Sequence, residues 1–161
     1  MDVPPISPLI FYRDAKAALD FLQRAFGFET RLVVEDGQGG VIHSECEYRG
    51  SVVMVCTAGG GYASPAEFGG RRTGSVHVQV PEGLDALCEQ ARAAGAKIER
   101  EPADQPYGDR VFTCLDPEGH SWSFGQTLAV MSADDMAKVT GRKITTALET
   151  QCPPPKPPKP S

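Results

Sequence analysis

The same succession of strand-like and helix-like apolar patterns occurs twice along this chain. A helical spacing places Leu19, Leu22 and Phe26 on one face of the run AKAALDFLQRAFG, and Gly27 follows as a helix cap. The preceding run is ISPLIFYRDA, and the strand-like runs FETRLVVE, VIHSECEY and SVVMVCTA come afterwards. The first half of the chain therefore predicts a strand, a helix and three further strands.

The second half repeats this order. The strand GSVHVQV leads into the helical run GLDALCEQARAAG, which Gly95 caps, and the runs AKIEREP, RVFTCLD and HSWSFGQT follow. The cap glycines Gly27 and Gly95 are 68 residues apart, and the turn glycines Gly50 and Gly119 are 69 apart. Because a unit of this size cannot bury its sheet alone, we expect two tandem βαβββ modules of α+β class that pair around a shared cleft.

The repeat and the composition divide the chain into five segments. A Ser-x-x-Asp cap at Ser132 predicts a short helix after the second module, and the Pro/Lys-rich end predicts a disordered tail. The Gly-rich linker is either a plain spacer or a functional loop. The segments are the first module (1–58), the linker (59–73), the second module (74–127), a C-terminal helical extension (128–150) and the tail (151–161).

Alternation along the strands predicts which side chains face the cleft. In SVHVQV the valines face the helix, which leaves Ser75, His77 and Gln79 on the other face. An alignment of the two copies pairs His43 with Phe112. From this pairing we expect the side chains of Arg110 and Phe112 to face the cleft. The candidate ligand-binding residues are Arg110, His77, Gln79, Phe112, Phe11, Ser75, Ser123, His43 and Tyr107, with Glu45 beside His43 as a further candidate.

Most of these candidates have a second interpretation. His77 is either functional or a hydrogen-bonded group at a subunit interface, and His43 with Glu45 is either a pocket wall or a solvated sheet edge. Arg110 requires an anionic partner, which is an Asp or Glu of the protein or a carboxylate on a ligand. His120 follows a turn glycine, where a histidine most often bonds to local backbone.

Charge and cysteine usage exclude several classes of protein. The formal net charge of −5 and the absence of a Lys/Arg cluster argue against a nucleic-acid-binding surface. No apolar run approaches the length of a membrane span, and the first residues do not resemble a signal peptide. The five cysteines are an odd number without CxxC spacing, so we expect buried free thiols in a reducing cytoplasm.

Three stretches carry a resemblance to a known family: RDAKAALDFLQRAFGFE, GSVHVQV and ARAAGAKIEREPADQPYGDRVFTCLDPEGHSWSF. Together they resemble the vicinal oxygen chelate superfamily of glyoxalase I, extradiol dioxygenases and bleomycin-resistance proteins, over about residues 5–127. The combination YGDR…DPEGH.W.F is similar to a PhnB-like or glyoxalase-like bacterial branch. The resemblance implies two modules that form an incomplete barrel, in a homodimer.

The same resemblance implies a divalent metal held by the first and fourth strands of each module. Carried over to this chain, those positions fall on Ser7, Met54, Ser75 and Ser123. A hydroxyl or a thioether is not a normal ligand for such a cation, which prefers carboxylate or imidazole. We therefore expect no metal cofactor. The alternative is a relocated site for zinc, nickel, manganese or iron.

These observations favour a metal-free protein that binds a small molecule in a dimer cleft, sequestering an antibiotic or an aromatic or anionic metabolite. The alternative is a glyoxalase-like lyase or isomerase, or a dioxygenase, with a relocated metal and with His77 or Glu45 as ligand or general base. A third possibility is a regulatory or scaffold module that makes its contact through the C-terminal tail.

Overall fold

The computed structural model describes residues 4–145 of the chain. Both halves have the predicted succession of strand, helix and three strands, and the α+β class is confirmed. The elements are β1 (Leu9–Tyr12), α1 (Ala15–Phe26), β2 (Glu29–Glu35), β3 (Val41–Tyr48), β4 (Ser51–Thr57), β5 (Ser75–Gln79), α2 (Leu84–Ala93), β6 (Lys97–Asp104), β7 (Asp109–Leu115), β8 (Ser121–Thr127) and α3 (Ala133–Thr140).

The strands form two four-stranded mixed sheets, ordered β1-β4-β3-β2 and β5-β8-β7-β6. In each sheet the first strand of the module runs parallel to the fourth, and the remaining neighbours are antiparallel. The first strand therefore lies at one edge and the helix crosses over the sheet to reach the far edge. Neither sheet closes on itself, in agreement with the incomplete barrel that the family resemblance implies.

Local sequence explains where the helices begin and end. The Asp14 side chain accepts a hydrogen bond from the Ala17 amide at the start of α1, and Gly27 ends that helix with a φ of 74°. Helix α2 ends earlier than predicted, because Ala94 is its cap in a right-handed conformation. Gly95 follows with a φ of 106°, a conformation that L side chains rarely adopt.

The two modules meet through their helices, since α1 packs directly against α2. The ring of Phe26, at the end of α1, lies 5.1 Å from Trp122 and 4.7 Å from Phe124 between centroids. Gln90 of α2 also donates a hydrogen bond to the carbonyl of Arg24. One continuous core of buried apolar side chains therefore serves both sheets, and their opposite faces are left open.

The turn between β7 and β8 joins the second module to the first. The buried Asp116 accepts hydrogen bonds from the Tyr12 hydroxyl at 2.7 Å and from the Trp122 indole at 3.1 Å. The ring Nε2 of His120 lies 2.9 Å from the carbonyl oxygen of Phe11. His120 is therefore a structural turn residue, but its ring reaches the other module, whereas the sequence predicted a bond to local backbone.

The segment after the second sheet begins with the predicted helix. Ser132 caps α3 by accepting a hydrogen bond from the Asp135 amide at 3.1 Å. The predicted tail and the end of the helical extension lie outside the described residues. Across residues 4–145, none of the helices combines the length and the apolar character needed to cross a membrane.

Candidate functional site

A row of polar side chains crosses the open face of the second sheet, and we call His77, Gln79, Ser123 and Thr127 the polar row. His77 Nδ1 lies 3.1 Å from the Ser123 hydroxyl, and His77 Nε2 lies 3.1 Å from Gln79 Oε1. The Gln79 amide nitrogen donates to the Thr127 hydroxyl at 2.8 Å. The structure thus brings together the His77, Gln79 and Ser123 side chains that strand alternation assigned to one face.

The partners of His77 determine how protons are arranged along this row. Gln79 Oε1 can only accept, so the contact at Nε2 is a hydrogen bond when this nitrogen carries a proton. With that tautomer, Nδ1 accepts from the Ser123 hydroxyl. Both ring nitrogens of His77 therefore face protein groups.

Gly125 provides the space in which the polar row lies. A Cβ added at this position would meet Gln79 Oε1 and His77 Cε1 at 3.0 Å each. That distance is tighter than nine in ten real Cβ contacts, so a larger residue would make both side chains shift by a few tenths of an ångström. The glycine therefore lets the two side chains lie close to the backbone of β8.

A cavity of about 470 Å³ lies beside this face, where β1, the start of β5 and the start of β8 approach the linker. Ser75 is common to the cavity wall and to the face that carries the polar row. The lining residues are Pro8, Leu9, Ile10, Phe11, Gly61, Tyr62, Ala63, Pro65, Phe68, Arg71, Arg72, Thr73, Gly74, Ser75, Val76, His120, Ser121 and Trp122.

The wall of this cavity contains aromatic rings and two arginine side chains. The Phe11 and Tyr62 rings are stacked, with centroids 4.1 Å apart and planes 9° apart. The Arg71 guanidinium lies over the Phe68 ring at 5.9 Å from its centroid. Arg72 forms an ion pair with Glu99 at 3.1 Å. Of these residues, sequence reasoning had identified Phe11 alone.

The missed residues all belong to the linker, for which the sequence left a spacer and a functional loop equally open. The structure places Tyr62, Phe68, Arg71 and Arg72 in the cavity wall, which favours the functional loop. The available signal was the composition of GGGYASPAEFGGRR, in which two aromatic and two basic residues interrupt an otherwise small and flexible segment. Tyr107, which was expected at the rim, lies in the β6–β7 turn and does not line the cavity.

The predicted orientation of Arg110 and Phe112 is wrong. Arg110 donates to Asp85 of α2 at 3.0 Å and forms an ion pair with Asp104, so it lies on the helix side of the sheet. Phe112 is fully buried and stacks on Phe124 at 4.9 Å between centroids. Hydrogen bonds to these two carboxylates raise the pKa of the Arg110 guanidinium. Its anionic partners are therefore groups of the protein itself.

The open face of the first sheet holds a smaller group of candidates. His43 Nε2 lies 3.6 Å from Glu45 Oε1, and the Glu45 side chain is buried. Its second carboxylate oxygen has no hydrogen-bond partner within residues 4–145. Met54, on the neighbouring strand β4, pairs with Leu9 of β1. This face therefore offers an imidazole and a carboxylate beside a thioether and aliphatic groups.

The donor atoms of this chain do not fit the metal site that the fold implies. The four expected positions hold the hydroxyls of Ser7, Ser75 and Ser123 and the thioether of Met54, which are poor ligands for a divalent cation. Within the described part of the chain, no three His, Cys, Asp or Glu side chains are grouped closely enough to hold a metal ion.

Comparison with known proteins gives a consistent result. A family model described as the Glyoxalase/Bleomycin resistance protein/Dioxygenase superfamily matches residues 6–124. The uncharacterized protein Rv0887c of Mycobacterium tuberculosis is 32% identical over 138 residues, which cover 83% of this chain and 80% of that protein.

Solved structures share the fold. TioX from Micromonospora sp. ML1 is 30% identical with a TM-score of 0.60, and the match covers 76% of this chain and 99% of TioX. FosX from Listeria monocytogenes, solved with Mn(II) and sulfate, is 16% identical with a TM-score of 0.59, covering 86% of this chain and 98% of FosX. At that identity FosX supports the architecture alone.

Proposed function

This chain belongs to the glyoxalase/bleomycin resistance protein/dioxygenase superfamily, and we propose that it binds a small organic molecule without a metal ion. One observation carries the proposal. A cavity of about 470 Å³ with aromatic walls opens beside the polar row, and Ser75, one of the four expected metal-ligand positions, lines it. The name of the superfamily joins glyoxalases, bleomycin resistance proteins and dioxygenases, so the fold does not distinguish between these functions. The proposal therefore rests on the site.

The size and surface of the cavity support this function. Its volume falls in the range of about 300–1,000 Å³ that is typical of small-molecule sites. Phe11, Tyr62 and Phe68 supply apolar ring surface, which binds a planar molecule at low cost in side-chain entropy. Ser75 supplies a hydroxyl at the junction with the polar row, where a hydrogen bond would orient the bound molecule.

The polar row can supply hydrogen bonds to a bound molecule. Both ring nitrogens of His77 already contact Ser123 and Gln79, so a metal ion could reach the ring only by displacing one of these partners. The hydroxyl of Thr127 remains at the end of the row as a group able to donate to a ligand. A protein that sequesters an antibiotic or an aromatic metabolite requires binding alone.

The proposal includes a homodimer, because apolar side chains remain uncovered on the first sheet. Leu32 is 37% exposed and Val34 is 41% exposed, on the same face as His43 and Glu45. A second copy seated on this face would bury them and would complete the wall of the cleft. Sedimentation velocity should then give the mass of two chains, and Val34→Glu should shift the protein towards one chain. A wild-type mass of one chain would contradict the dimer.

We extend the proposal to a cytoplasmic location. The four cysteines within residues 4–145 are free and buried, as is usual for a protein kept in a reducing compartment.

A thermal-shift screen in buffer containing EDTA tests the binding function. The panel should hold aromatic carboxylates, aromatic amines, neutral aromatic compounds and peptide-like antibiotics. We expect at least one aromatic class to raise the melting temperature in a concentration-dependent manner, because a ligand that binds only the folded state stabilises it. Stabilisation that appears only after a divalent metal is added would favour the metal-dependent enzyme, and no stabilisation by any class would contradict the proposal.

A further inference from the structure

The charge of the cavity wall is opposite to the charge of the chain. The protein carries a formal net charge of −5, yet the cavity is lined by Arg71 and Arg72 and by no aspartate or glutamate. The third basic group of the wall, His120, has its Nε2 engaged with the Phe11 carbonyl. An anionic molecule would therefore meet cationic groups along this wall, where the carboxylate paired with them among the described residues is Glu99 beside Arg72.

The two arginines differ in what they have available for a ligand. Arg72 is held by Glu99, with a nitrogen–oxygen distance of 3.1 Å. Arg71 has no carboxylate within ion-pair distance among residues 4–145, and its guanidinium rests over the Phe68 ring. A guanidinium over an aromatic face keeps its in-plane N–H donors free. Arg71 can thus make a two-pronged contact with a carboxylate or phosphate.

Flat apolar surface lies in the same wall as this arginine. Tyr62 stacks face to face on Phe11 and is 61% exposed, while Phe68 is 58% exposed. Rings left this exposed in a concave wall are available to stack against a planar molecule, since each ring has two faces and the protein covers only part of them. The volume of about 470 Å³ accommodates a molecule of one to three fused rings.

From these contacts we infer that the linker cavity selects planar aromatic anions, with the ring against Tyr62 and Phe68 and the anionic group on Arg71. This inference rests on the proposed binding function and adds the chemical class of the ligand. Linker residue Tyr62 provides affinity for the ring, and linker residue Arg71 provides discrimination by charge. The linker is therefore the specificity element of the site.

Titration calorimetry with three matched probes in EDTA tests this assignment. The probes are 2-naphthoate, 2-naphthamide and 2-naphthylmethylamine, which share one ring system and differ in charge. We expect 2-naphthoate to bind about tenfold more tightly than the amide, because a charge-assisted contact replaces a neutral one, and the amine to bind more weakly than both. Equal affinities for the acid and the amide would overturn the inference, as would a preference for the amine.

Variants assign the two roles to residues. Arg71→Gln should remove the preference for 2-naphthoate over the amide. The control Arg100→Gln removes the same charge from an exposed position on β6 that does not line the cavity, and it should keep the preference. Tyr62→Ala should weaken all three probes about fivefold or more, and Tyr62→Phe should restore the affinity. Equal loss in Arg71→Gln and Arg100→Gln would contradict a specific contact.

Failure of this inference is distinguishable from failure of the proposed function. If the amide or the amine binds as well as 2-naphthoate, the cavity still binds small molecules and only the selection for anions is wrong. If none of the three probes binds, the inference is overturned, and the wider thermal-shift panel then decides the proposed function. The melting temperature of each variant shows that the protein remains folded.

Discussion

The Tyr12 hydroxyl donates a 2.7 Å hydrogen bond to Asp116, a buried carboxylate of the other module. Asp116 also accepts from the Trp122 indole and from two backbone amides of its own turn. This contact fixes the end of β1 against the last hairpin. Because Phe11 is next to Tyr12, the contact also positions one wall of the cavity.

Tyr12→Phe should lower the free energy of unfolding by about 1–3 kcal/mol, because it leaves a buried carboxylate oxygen without one of its donors. Burial and the neighbouring Asp116 also raise the pKa of Tyr12 well above its ordinary value, so the hydroxyl stays protonated into alkaline solution. Urea denaturation measures the change. The control is Tyr48→Phe, since the Tyr48 hydroxyl has no hydrogen bond within the described residues; equal losses in the two variants would refute the role of this contact.

Glu118 should stabilise the protein through the start of α1. Burial raises the pKa of its carboxyl, but hydrogen bonds from the Asp14 and Arg13 amides outweigh this effect, and the pKa lies below its ordinary 4.5. A depressed pKa means that this stabilisation is present above pH 4.5 and is lost as the pH falls through the folded-state value. Glu118→Gln should therefore cost about 1 kcal/mol at pH 7, a value reduced for partial exposure, and less near pH 3.

The matched control for this prediction is Glu82→Gln, which removes one exposed carboxylate that forms no ion pair or side-chain hydrogen bond in the described part of the chain. Its stability should follow the wild type at both pH values. A pH-independent difference between Glu118→Gln and the wild type would mean that the carboxylate charge contributes nothing.

Alkaline pH should destabilise the protein through its buried thiols. Burial raises the pKa of Cys46 from 9.0 to about 11. The unfolded chain then releases this proton near pH 9 while the folded chain holds it, so stability falls as the pH rises from 9 to 11. In reducing buffer, the urea midpoint of Cys46→Ala should fall less steeply over this range than that of the wild type.

Val53→Ala is the control for Cys46→Ala, because Val53 is the buried cross-strand partner of Cys46 and has no titratable group. It should lower the midpoint at every pH and keep the wild-type slope. Parallel curves for all three proteins would show that Cys46 does not produce the pH dependence.

Arg110→Ala should leave ligand affinity unchanged and reduce stability slightly. The guanidinium is held by Asp85 and Asp104 on the helix side, and these exposed ion pairs contribute little. Calorimetry with 2-naphthoate and a melting curve measure the two quantities. A tenfold loss of affinity with an unchanged melting temperature would instead show that Arg110 contacts the ligand, as the sequence analysis predicted.

The sequence predicted the fold well because the repeat is expressed in local patterns. The apolar stripes of both helices, the positive-φ glycine at the end of α1 and the Ser132 cap are properties of short segments, and each is present. Strand alternation also placed His77 and Gln79 on one face with Ser123. These predictions depend on residues that are neighbours in the chain or in one ladder.

The error at Phe112 has a physical cause in one turn. Between the ladder pair Glu47–Val52 lie four residues, whereas five lie between Leu115 and Ser121. The two copies are therefore offset by 68 residues before this turn and by 69 after it. Applying the later offset to the earlier strand moved every side chain to the opposite face, since the side-chain period of a strand is two.

The cavity could not be predicted from the sequence for a different reason. Its wall joins Tyr62 and Phe68 of the linker to Phe11, and no periodic pattern records how a Gly-rich loop folds over a sheet. The contact between Tyr12 and Asp116 spans 104 residues and likewise leaves no local signal. The sequence indicated that hydroxyls and a thioether stand at the expected metal-ligand positions, but not that the linker forms the wall of a cavity.

The metal content of the protein tests the central claim most directly. The chain should be produced in medium supplemented with zinc, nickel, manganese and iron, purified without chelator, and measured by plasma mass spectrometry. Because hydroxyls and a thioether occupy the expected ligand positions, we predict a content far below one ion per chain for each metal. A content near one ion per chain of any of the four would contradict the account.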